Sequence, residues 1–220
     1  MRNIFISKDI NELETLEALM GNDALTFECK SLIQFKSLPF DLPVDFEVIF
    51  FSSIRSAKFL FESKKINLHN YGLACAGKQT ALKLNEMGFK PDFIGSNASN
   101  PQHVSQEFSK WLGDRKVFIP ASSRSLRSIE ELISEGQIRS AILYETILLP
   151  LKLASADVLV FTSPSNVQAY FIENEVLEKS IVIAWGDSTR KTLLDYGCES
   201  STVLKEGTIT ELKIMLESLL

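Results

Sequence analysis

The sequence predicts an α/β fold of two similar domains, each a parallel β-sheet flanked by helices. Short apolar runs such as 47–51 and 157–161 are followed at once by helical patterns, which is typical of strands buried on both faces of a parallel sheet. The same order of blocks occurs twice along the chain. A length of 220 residues allows one large domain or two small ones, each with a sizeable core.

The elements follow from apolar runs, caps and breakers. Asp9 or Asn11 can cap a helix that ends at Gly21, and Pro164 suits a first helical turn because its missing N–H would have no partner there. The predicted strands are 3–7, 47–51, 72–76, 91–95, 116–121, 157–161, 180–185 and a short one near 202. The predicted helices are 9–21, 53–63, 78–88, 100–113, 125–136, 164–174, 187–196 and 208–219. The predicted extended runs are 24–35 and 138–150.

An internal duplication supports two related domains. FFSSIRSAKF and FTSPSNVQAY share Phe and Ser at an offset of 110, whereas ACAGKQTALKLNEMGF and IAWGDSTRKTLLDYGC share Gly, Thr and Gly at an offset of 109. The matched pairs are Phe51/Phe161, Ser53/Ser163, Gly77/Gly186, Thr80/Thr189 and Gly88/Gly197. Each half therefore places a Ser-rich strand end beside a Gly-x-x-Thr strand end.

Composition argues against several classes of protein. A net charge of −5 without a basic run argues against nucleic-acid binding, and no apolar run reaches the roughly 20 residues that span a bilayer. The apolar segment at the N-terminus is too short for a signal peptide. Three cysteines without CxxC spacing indicate reduced thiols in a cytoplasmic protein, and two histidines on polar stretches argue against a metal site.

The polar strand ends predict an anion-binding site. Ligands of parallel sheets bind at the carboxyl ends of strands, where the free N–H groups of helix N-termini favour anions. Two such lobes facing each other would hold a large anionic ligand. The same Ser and Thr residues are also explained as helix N-caps, worth about 1 kcal/mol each, so both roles stay open. Without a nucleophile elbow, a Walker loop or a histidine pair, any chemistry must depend on hydroxyls, N–H groups and a few charges.

These blocks, in this order, resemble the uroporphyrinogen-III synthase family over almost the whole chain. The resemblance rests on the strand ends at 51–53 and 161–165, on AGKQTA and WGDSTR at the Gly-x-x-Thr turns, and on LYET at 143–146. FKSLP at 35–39 and VFIPAS at 117–122 also occur where the family has comparable segments.

The resemblance implies a particular division of the chain. One domain would be discontinuous, formed by 1–30 and 149–220, and the other would be 31–148. Two extended connectors, FECKSLIQF and AILYETILL, would join them.

The resemblance also implies a reaction. Linear hydroxymethylbilane would lose water, close to a macrocycle and invert its last pyrrole ring to give uroporphyrinogen III. The implied enzyme is a cofactor-free lyase of haem biosynthesis that works as a cytoplasmic monomer on a small polycarboxylate, without a metal, nucleic acid or membrane.

The resemblance assigns roles to individual residues. Tyr144 in LYET would assist departure of the hydroxyl, and Arg55 would pair with a substrate carboxylate. Tyr144 is also explained as an aromatic residue on a connecting strand, and Arg55 as a solvated residue at a helix start. Lys78 opposes a helix dipole, which an anionic partner would explain. The predicted substrate-binding residues are Ser53, Arg55, Lys78, Thr80, Ser163, Ser165, Ser188 and Thr189, with Asn166 as a further candidate.

Two departures from the family pattern favour an alternative. Trp185 and Asp187 stand where relatives commonly carry a small aliphatic residue and a proline, and an Asp that faced the ligand would repel a polycarboxylate. IPASSRS also lacks the Arg-Gly often seen after that strand. The alternative is a two-lobed, non-catalytic binding or regulatory protein for an anionic, tetrapyrrole-like ligand.

Overall fold

The computed structural model, which describes residues 1–98, 100–125 and 127–218, contains parallel sheets flanked by helices, as predicted. The strands are β1 (Arg2–Ile6), β2 (Leu25–Cys29), β3 (Ile33–Ser37), β4 (Val48–Phe51), β5 (Gly72–Cys75), β6 (Phe93–Ile94), β7 (Val117–Ser122), β8 (Ile138–Leu148), β9 (Val158–Phe161), β10 (Ile181–Ala184) and β11 (Thr202–Val203). The α-helices are α1 (Glu17–Met20), α2 (Ile54–Glu62), α3 (Lys78–Glu86), α4 (Pro101–Leu112), α5 (Pro164–Glu173), α6 (Asp187–Asp195) and α7 (Ile209–Ser218).

The chain divides into two compact units. Unit 1 comprises Met1–Gln34 and Ile147–Leu220, and unit 2 comprises Phe35–Thr146. The segments that cross these boundaries are β3 and β8, both extended. The predicted helix 208–219 and the predicted domain end at 220 reach past residue 218, outside the described residues.

Unit 1 contains a five-stranded sheet in the order β11-β10-β9-β1-β2, in which every neighbouring pair is parallel. All four residues of β9 are buried, as expected for a strand covered on both faces. Alternate residues of β1 face opposite sides of the sheet, so Phe5 joins one apolar cluster while Ile4 and Ile6 join another.

Unit 2 has a six-stranded sheet in the order β3-β8-β7-β4-β5-β6, and the pairs from β8 to β6 are parallel. Ile49 and Phe51 of β4 pack into one cluster, whereas Val48 and Phe50 pack into the other. In both units the carboxyl ends of the central strands lead directly into helix N-termini, which is the arrangement that positions the candidate site.

Two predicted helices are wrong. Residues 9–21 form two short 3₁₀ turns and the single turn α1, and 125–136 contains only the 3₁₀ turns Glu130–Leu132 and Glu135–Gln137 among its described residues. Leu13, Leu16 and Leu19 are all buried, and their spacing of three matches the 3.0 residues per turn of a 3₁₀ helix.

In the second region, a backbone conformation and a tertiary contact both depart from a regular α-helix. Arg127 has φ +55°, which lies in the left-handed region and interrupts a right-handed helix. The hydroxyl of Ser105, on α4, donates a hydrogen bond to the Ile129 carbonyl at 3.0 Å, so tertiary packing uses a group that the helix would need.

Candidate active site

Unit 2 places two helix N-termini at one edge of its sheet. Ser53 follows β4 and caps α2, because its Oγ accepts a hydrogen bond from the N–H of Ser56 at 3.4 Å. The Ser56 hydroxyl donates in return to the Ser53 carbonyl at 2.8 Å. Gly77 follows the parallel neighbour β5 and precedes α3. The cap that the sequence allows for Ser53 is therefore present, and its contact with substrate stays a prediction.

Close packing explains why residue 77 is a glycine. A Cβ built on Gly77 would lie 2.6 Å from the Cβ of Ala98, closer than real Cβ atoms approach one another. The backbone of Gly77 is extended, with φ −179°, so the requirement is steric and does not come from an unusual conformation.

Lys78 and Thr80 occupy the first turn of α3. Lys78 is exposed and Thr80 is half-buried. Within the described part of the chain, neither side chain makes a hydrogen bond or an ion pair. The positive end of the helix dipole repels a cation at this position, and an anion bound to Lys78 would relieve that repulsion.

The structure brings two predicted residues together in unit 2, Tyr144 and Arg55. Tyr144 pairs with Ser122, the last residue of β7, so it lies at the carboxyl edge of the sheet. The Tyr144 ring, only 5% exposed, stacks on Phe59 at 4.7 Å and meets Phe35 edge-on at 6.0 Å. The Arg55 guanidinium carbon lies 3.4 Å from the centroid of the same Phe35 ring.

Sequence reasoning missed Phe35 and Phe59. Phe59 lies four residues after Arg55 on α2, a spacing that puts both on one helix face and was a usable signal. Phe35 lies on β3, and no local pattern shows that β3 neighbours β8.

Unit 1 builds a polar network at the corresponding strand end. Ser163 caps α5 by accepting from the N–H of Asn166 at 3.3 Å, and the Asn166 amide donates to Ser163 Oγ at 3.0 Å. Ser7, which follows β1, accepts from the Thr162 N–H at 2.8 Å, and the Thr162 hydroxyl donates to the Ser7 carbonyl at 2.7 Å. Asn166 is buried and also accepts from the N–H of Leu32, so its amide is engaged within the fold.

The other predicted residues of unit 1 lie in the first turns of α5 and α6. Ser165 is half-buried and Ser188 is exposed, but Thr189 is buried, with 2% of its surface exposed. Gly186 precedes α6, and a Cβ built there would meet nothing within 4 Å. The repeat therefore preserves the position of the second glycine but not the close packing that constrains Gly77.

Asp187, at the start of α6, already has a cationic partner. Asp187 Oδ1 lies 3.6 Å from Nε of Arg190, one turn further on, and both side chains are largely exposed. An ion pair of this kind partly offsets the repulsion that Asp187 would exert on a carboxylate.

The loop before α7 satisfies its own N–H groups. The Glu211 carboxylate accepts hydrogen bonds from the N–H groups of Lys205, Glu206 and Gly207 at 2.7, 2.9 and 3.1 Å. The Glu211 N–H in turn donates to the Thr208 hydroxyl at 3.1 Å. These three N–H groups thus hold an internal anion and do not add to the anion-binding capacity of unit 1.

Burial raises the pKa of a thiol in unit 2 and of a phenol in unit 1. Burial raises the pKa of the Cys75 thiol, at the end of β5, to about 11. Burial also raises the pKa of Tyr170, whose hydroxyl donates to the Glu175 carbonyl at 3.1 Å. Burial therefore disfavours the anionic form of both groups.

Comparison with known proteins identifies the family. The family model described as HEM4, uroporphyrinogen-III synthase HemD, matches residues 26–212. The chain belongs to the uroporphyrinogen-III synthase family. As a uroporphyrinogen-III synthase it is a lyase of porphyrin and haem biosynthesis, as the sequence predicts.

Solved structures of uroporphyrinogen-III synthases share the fold. The enzyme from Helicobacter pylori superposes with a TM-score of 0.74 at 22% identity, covering all of both chains. A mutant of the Thermus thermophilus enzyme superposes with a TM-score of 0.67 at 15% identity, covering 100% of this chain and 99% of that one. A search of curated protein sequences finds no match.

Membrane-spanning helices and groups of metal-binding side chains were both sought among the described residues. None of their helices has the length and apolarity needed to cross a bilayer. They contain no group of three or more His, Cys, Asp or Glu side chains placed to hold a metal ion.

Proposed function

We propose that this uroporphyrinogen-III synthase uses Tyr144 and Arg55 of unit 2 on the ring of hydroxymethylbilane that loses its hydroxyl. The observation that carries the proposal is the position of the Tyr144 ring at the carboxyl edge of the sheet, next to the ring that supports the Arg55 guanidinium. The substrate is linear and carries eight carboxylates, and the product is uroporphyrinogen III.

The first step is departure of the hydroxyl. The C–O bond breaks, its electron pair leaves with oxygen, and the oxygen accepts a proton to become water. The pyrrole nitrogen shares its lone pair with the remaining carbon, giving an azafulvene cation. Tyr144 assists by donating a hydrogen bond to the departing oxygen, which is general-acid assistance at a leaving group that needs only a modest donor.

The second step forms the ring. The substituted carbon of the last pyrrole attacks the cationic carbon, and its older bond to the methylene that joins it to the third pyrrole then breaks. That methylene, now cationic, bonds to the free position of the last pyrrole, which releases a proton, so the ring is inverted and the net loss is one water. The protein mainly has to hold the chain curled so that this carbon, and not the free position, is the one that attacks.

Carboxylates of the substrate bind to cations, hydroxyls and helix N-termini at the strand ends. In unit 2 the proposed groups are Ser53, Arg55, Lys78 and Thr80, and in unit 1 they are Ser163, Ser165, Ser188 and Thr189. Arg55 can make a bidentate contact with a carboxylate. A carboxylate bound to Lys78 would offset the repulsion between this cation and the positive end of the helix dipole. Burial of Thr189 favours a role through its backbone more than through its hydroxyl.

We also propose that the protein works as a cytoplasmic monomer without a cofactor, with domains at 1–30 plus 149–220 and at 31–148. Light scattering of the purified protein would show a dimer if the monomer proposal is wrong. Limited proteolysis that cut first within 60–130, and not near residues 30 and 149, would contradict the domain limits.

The product isomer decides the proposed function. Purified protein receives freshly prepared hydroxymethylbilane, and the macrocycles are oxidised and separated by chromatography. Spontaneous closure gives the type I isomer, so we expect an excess of type III that grows with enzyme concentration. Type I alone at every enzyme concentration would rule the function out.

A further inference from the structure

Four side chains of unit 2 form a continuous stack. Arg55 lies over the face of Phe35, Phe35 and Tyr144 make a T-shaped contact, and Tyr144 is stacked on Phe59 with an angle of 12° between the rings. The stack joins three elements, because Phe35 comes from β3, Tyr144 from β8, and the other two residues from α2.

Phe35 connects the two residues to which the reaction assigns roles. Its centroid lies 3.4 Å from the Arg55 guanidinium carbon and 6.0 Å from the Tyr144 centroid, and these two distances together limit how far apart the cation and the phenol can be. Phe35 is half-buried, as is Phe59, whereas Arg55 is exposed. The stack therefore runs from the apolar core of unit 2 to its surface.

We propose that Phe35 is a positioning residue that holds the Arg55 guanidinium and the Tyr144 hydroxyl at a fixed separation toward one ring of the substrate. A guanidinium stacked on an aromatic face uses its π surface for that contact and makes its hydrogen bonds through the N–H groups at its edge. An exposed arginine without such support samples many rotamers, which binding must freeze.

The inference rests on the proposed function and adds a specificity for it. The pyrrole that loses its hydroxyl also carries carboxylate side chains a few bonds away. Arg55 binds one of these carboxylates while Tyr144 faces the hydroxymethyl group of the same ring. Phe35 sets the spacing of that two-point contact and itself touches neither the breaking bond nor the departing oxygen.

The test compares two matched substitutions in one core. Phe35→Leu removes the ring between Arg55 and Tyr144. Phe46→Leu makes the same change in the same apolar cluster, where Phe46 stacks on Tyr71 at 4.7 Å and contacts Phe118. Phe35→Tyr restores an aromatic face, and Arg55→Leu removes the cation. Each protein is assayed for KM, kcat, the ratio of type III to type I product, the thermal midpoint and the Kd for uroporphyrin III.

We expect Phe35→Leu to raise KM and Kd about tenfold, as loss of a well-placed charged contact does, and to raise the type I fraction. Phe46→Leu should change KM and Kd less than about twofold although it lowers the thermal midpoint as much. Phe35→Tyr should recover most of the affinity. In the Arg55→Leu background, Phe35→Leu should cause no further rise in Kd.

Equal KM and Kd values for Phe35→Leu and Phe46→Leu would overturn the inference. A tenfold rise in Kd caused by Phe35→Leu in the Arg55→Leu background would also overturn it. Failure of the proposed function is a separate result, namely type I product alone from the unmodified protein. In that case the Kd values alone still decide whether Phe35 positions Arg55. If Phe35→Leu does not fold, the Arg55→Leu and Phe35→Tyr values decide: equal Kd for Arg55→Leu and the unmodified protein overturns the inference.

Discussion

The side-chain oxygen of Asn166 accepts a hydrogen bond from the backbone N–H of Leu32 at 2.8 Å, across 134 residues of sequence. Both residues are buried, so the contact ties the first turn of α5 to the segment that leads into β3. The sequence allows Asn166 as a substrate contact, but its amide is committed to Leu32 on one side and to Ser163 on the other.

Asn166→Leu should therefore destabilise the fold without a specific effect on substrate affinity. The buried N–H of Leu32 loses its acceptor, which costs about 2 kcal/mol of unfolding free energy. Urea unfolding followed by circular dichroism measures the loss. Ser165→Ala, one residue earlier, is the control and should leave the urea midpoint unchanged. A normal midpoint for Asn166→Leu together with a large rise in KM would return Asn166 to the substrate-binding residues.

Apolar runs predict the central strands well and the short segments badly. β4, β9 and β10 lie within the predicted runs because strands buried on both faces leave an uninterrupted apolar signature. The helix predicted at 125–136 is absent. The Ser105 hydroxyl donates a hydrogen bond to the Ile129 carbonyl, and no local pattern reveals this contact because Ser105 lies 24 residues earlier in the sequence. Likewise, the repeated strand ends predict Ser53 and Ser163, but only the pairing of β3 with β8 shows that Phe35 reaches Tyr144.

The two repeated glycines should respond differently to alanine. Gly77→Ala forces a contact of 2.6 Å with Ala98 and should cost about 1–3 kcal/mol of unfolding free energy. Gly186→Ala meets nothing within 4 Å and has an extended backbone, so its stability should stay within about 0.5 kcal/mol of the unmodified protein.

Thermal unfolding measures both effects, and steady-state kinetics then isolate function. If the substrate approaches the backbone at Gly186, the alanine variant should raise KM although its thermal midpoint is normal. An unchanged KM would limit this glycine to a structural role at the start of α6.

Lys78 and Lys83 lie on the same helix, and their substitution by Gln should change the unfolding free energy in opposite directions. Lys78 opposes the dipole at the start of α3, so Lys78→Gln should raise the unfolding free energy by about 0.3–1 kcal/mol while it raises KM through loss of a carboxylate contact. Lys83 pairs with Glu86 at 2.8 Å near the end of the helix, so Lys83→Gln should lower stability by about 0.3 kcal/mol, with KM unchanged. A stabilised Lys78→Gln variant with normal KM would remove Lys78 from the site.

The thiols of Cys75, which is buried, and Cys29, which is partly buried, should make stability fall at alkaline pH. Burial raises the pKa of Cys75 and of Cys29 from the ordinary 9.0 to about 11. Above pH 9 the unfolded chain loses these protons before the folded chain does, so stability is complete below pH 9 and declines up to about pH 11. Urea midpoints at pH 8, 9.5 and 10.5 measure the decline.

Cys75→Ala should reduce that slope relative to the unmodified protein, although it lowers the midpoint at pH 8 by removing a buried side chain. Cys198, whose pKa burial also raises, is only partly buried and supplies the comparison variant. A slope that Cys75→Ala leaves unchanged would show that other groups cause the alkaline loss.

Tyr144→Phe tests the phenol without removing its ring. The ring contacts with Phe35 and Phe59 remain, so the thermal midpoint should change little. Without the hydroxyl, assistance to the departing oxygen is lost, and kcat should fall by a factor of about 10² while KM changes less than about threefold. Phe59→Leu removes the stacked partner instead and should lower stability as well as kcat. An unchanged kcat in Tyr144→Phe would show that solvent, and not Tyr144, supplies the proton, and that Tyr144 serves only in the packing of β8.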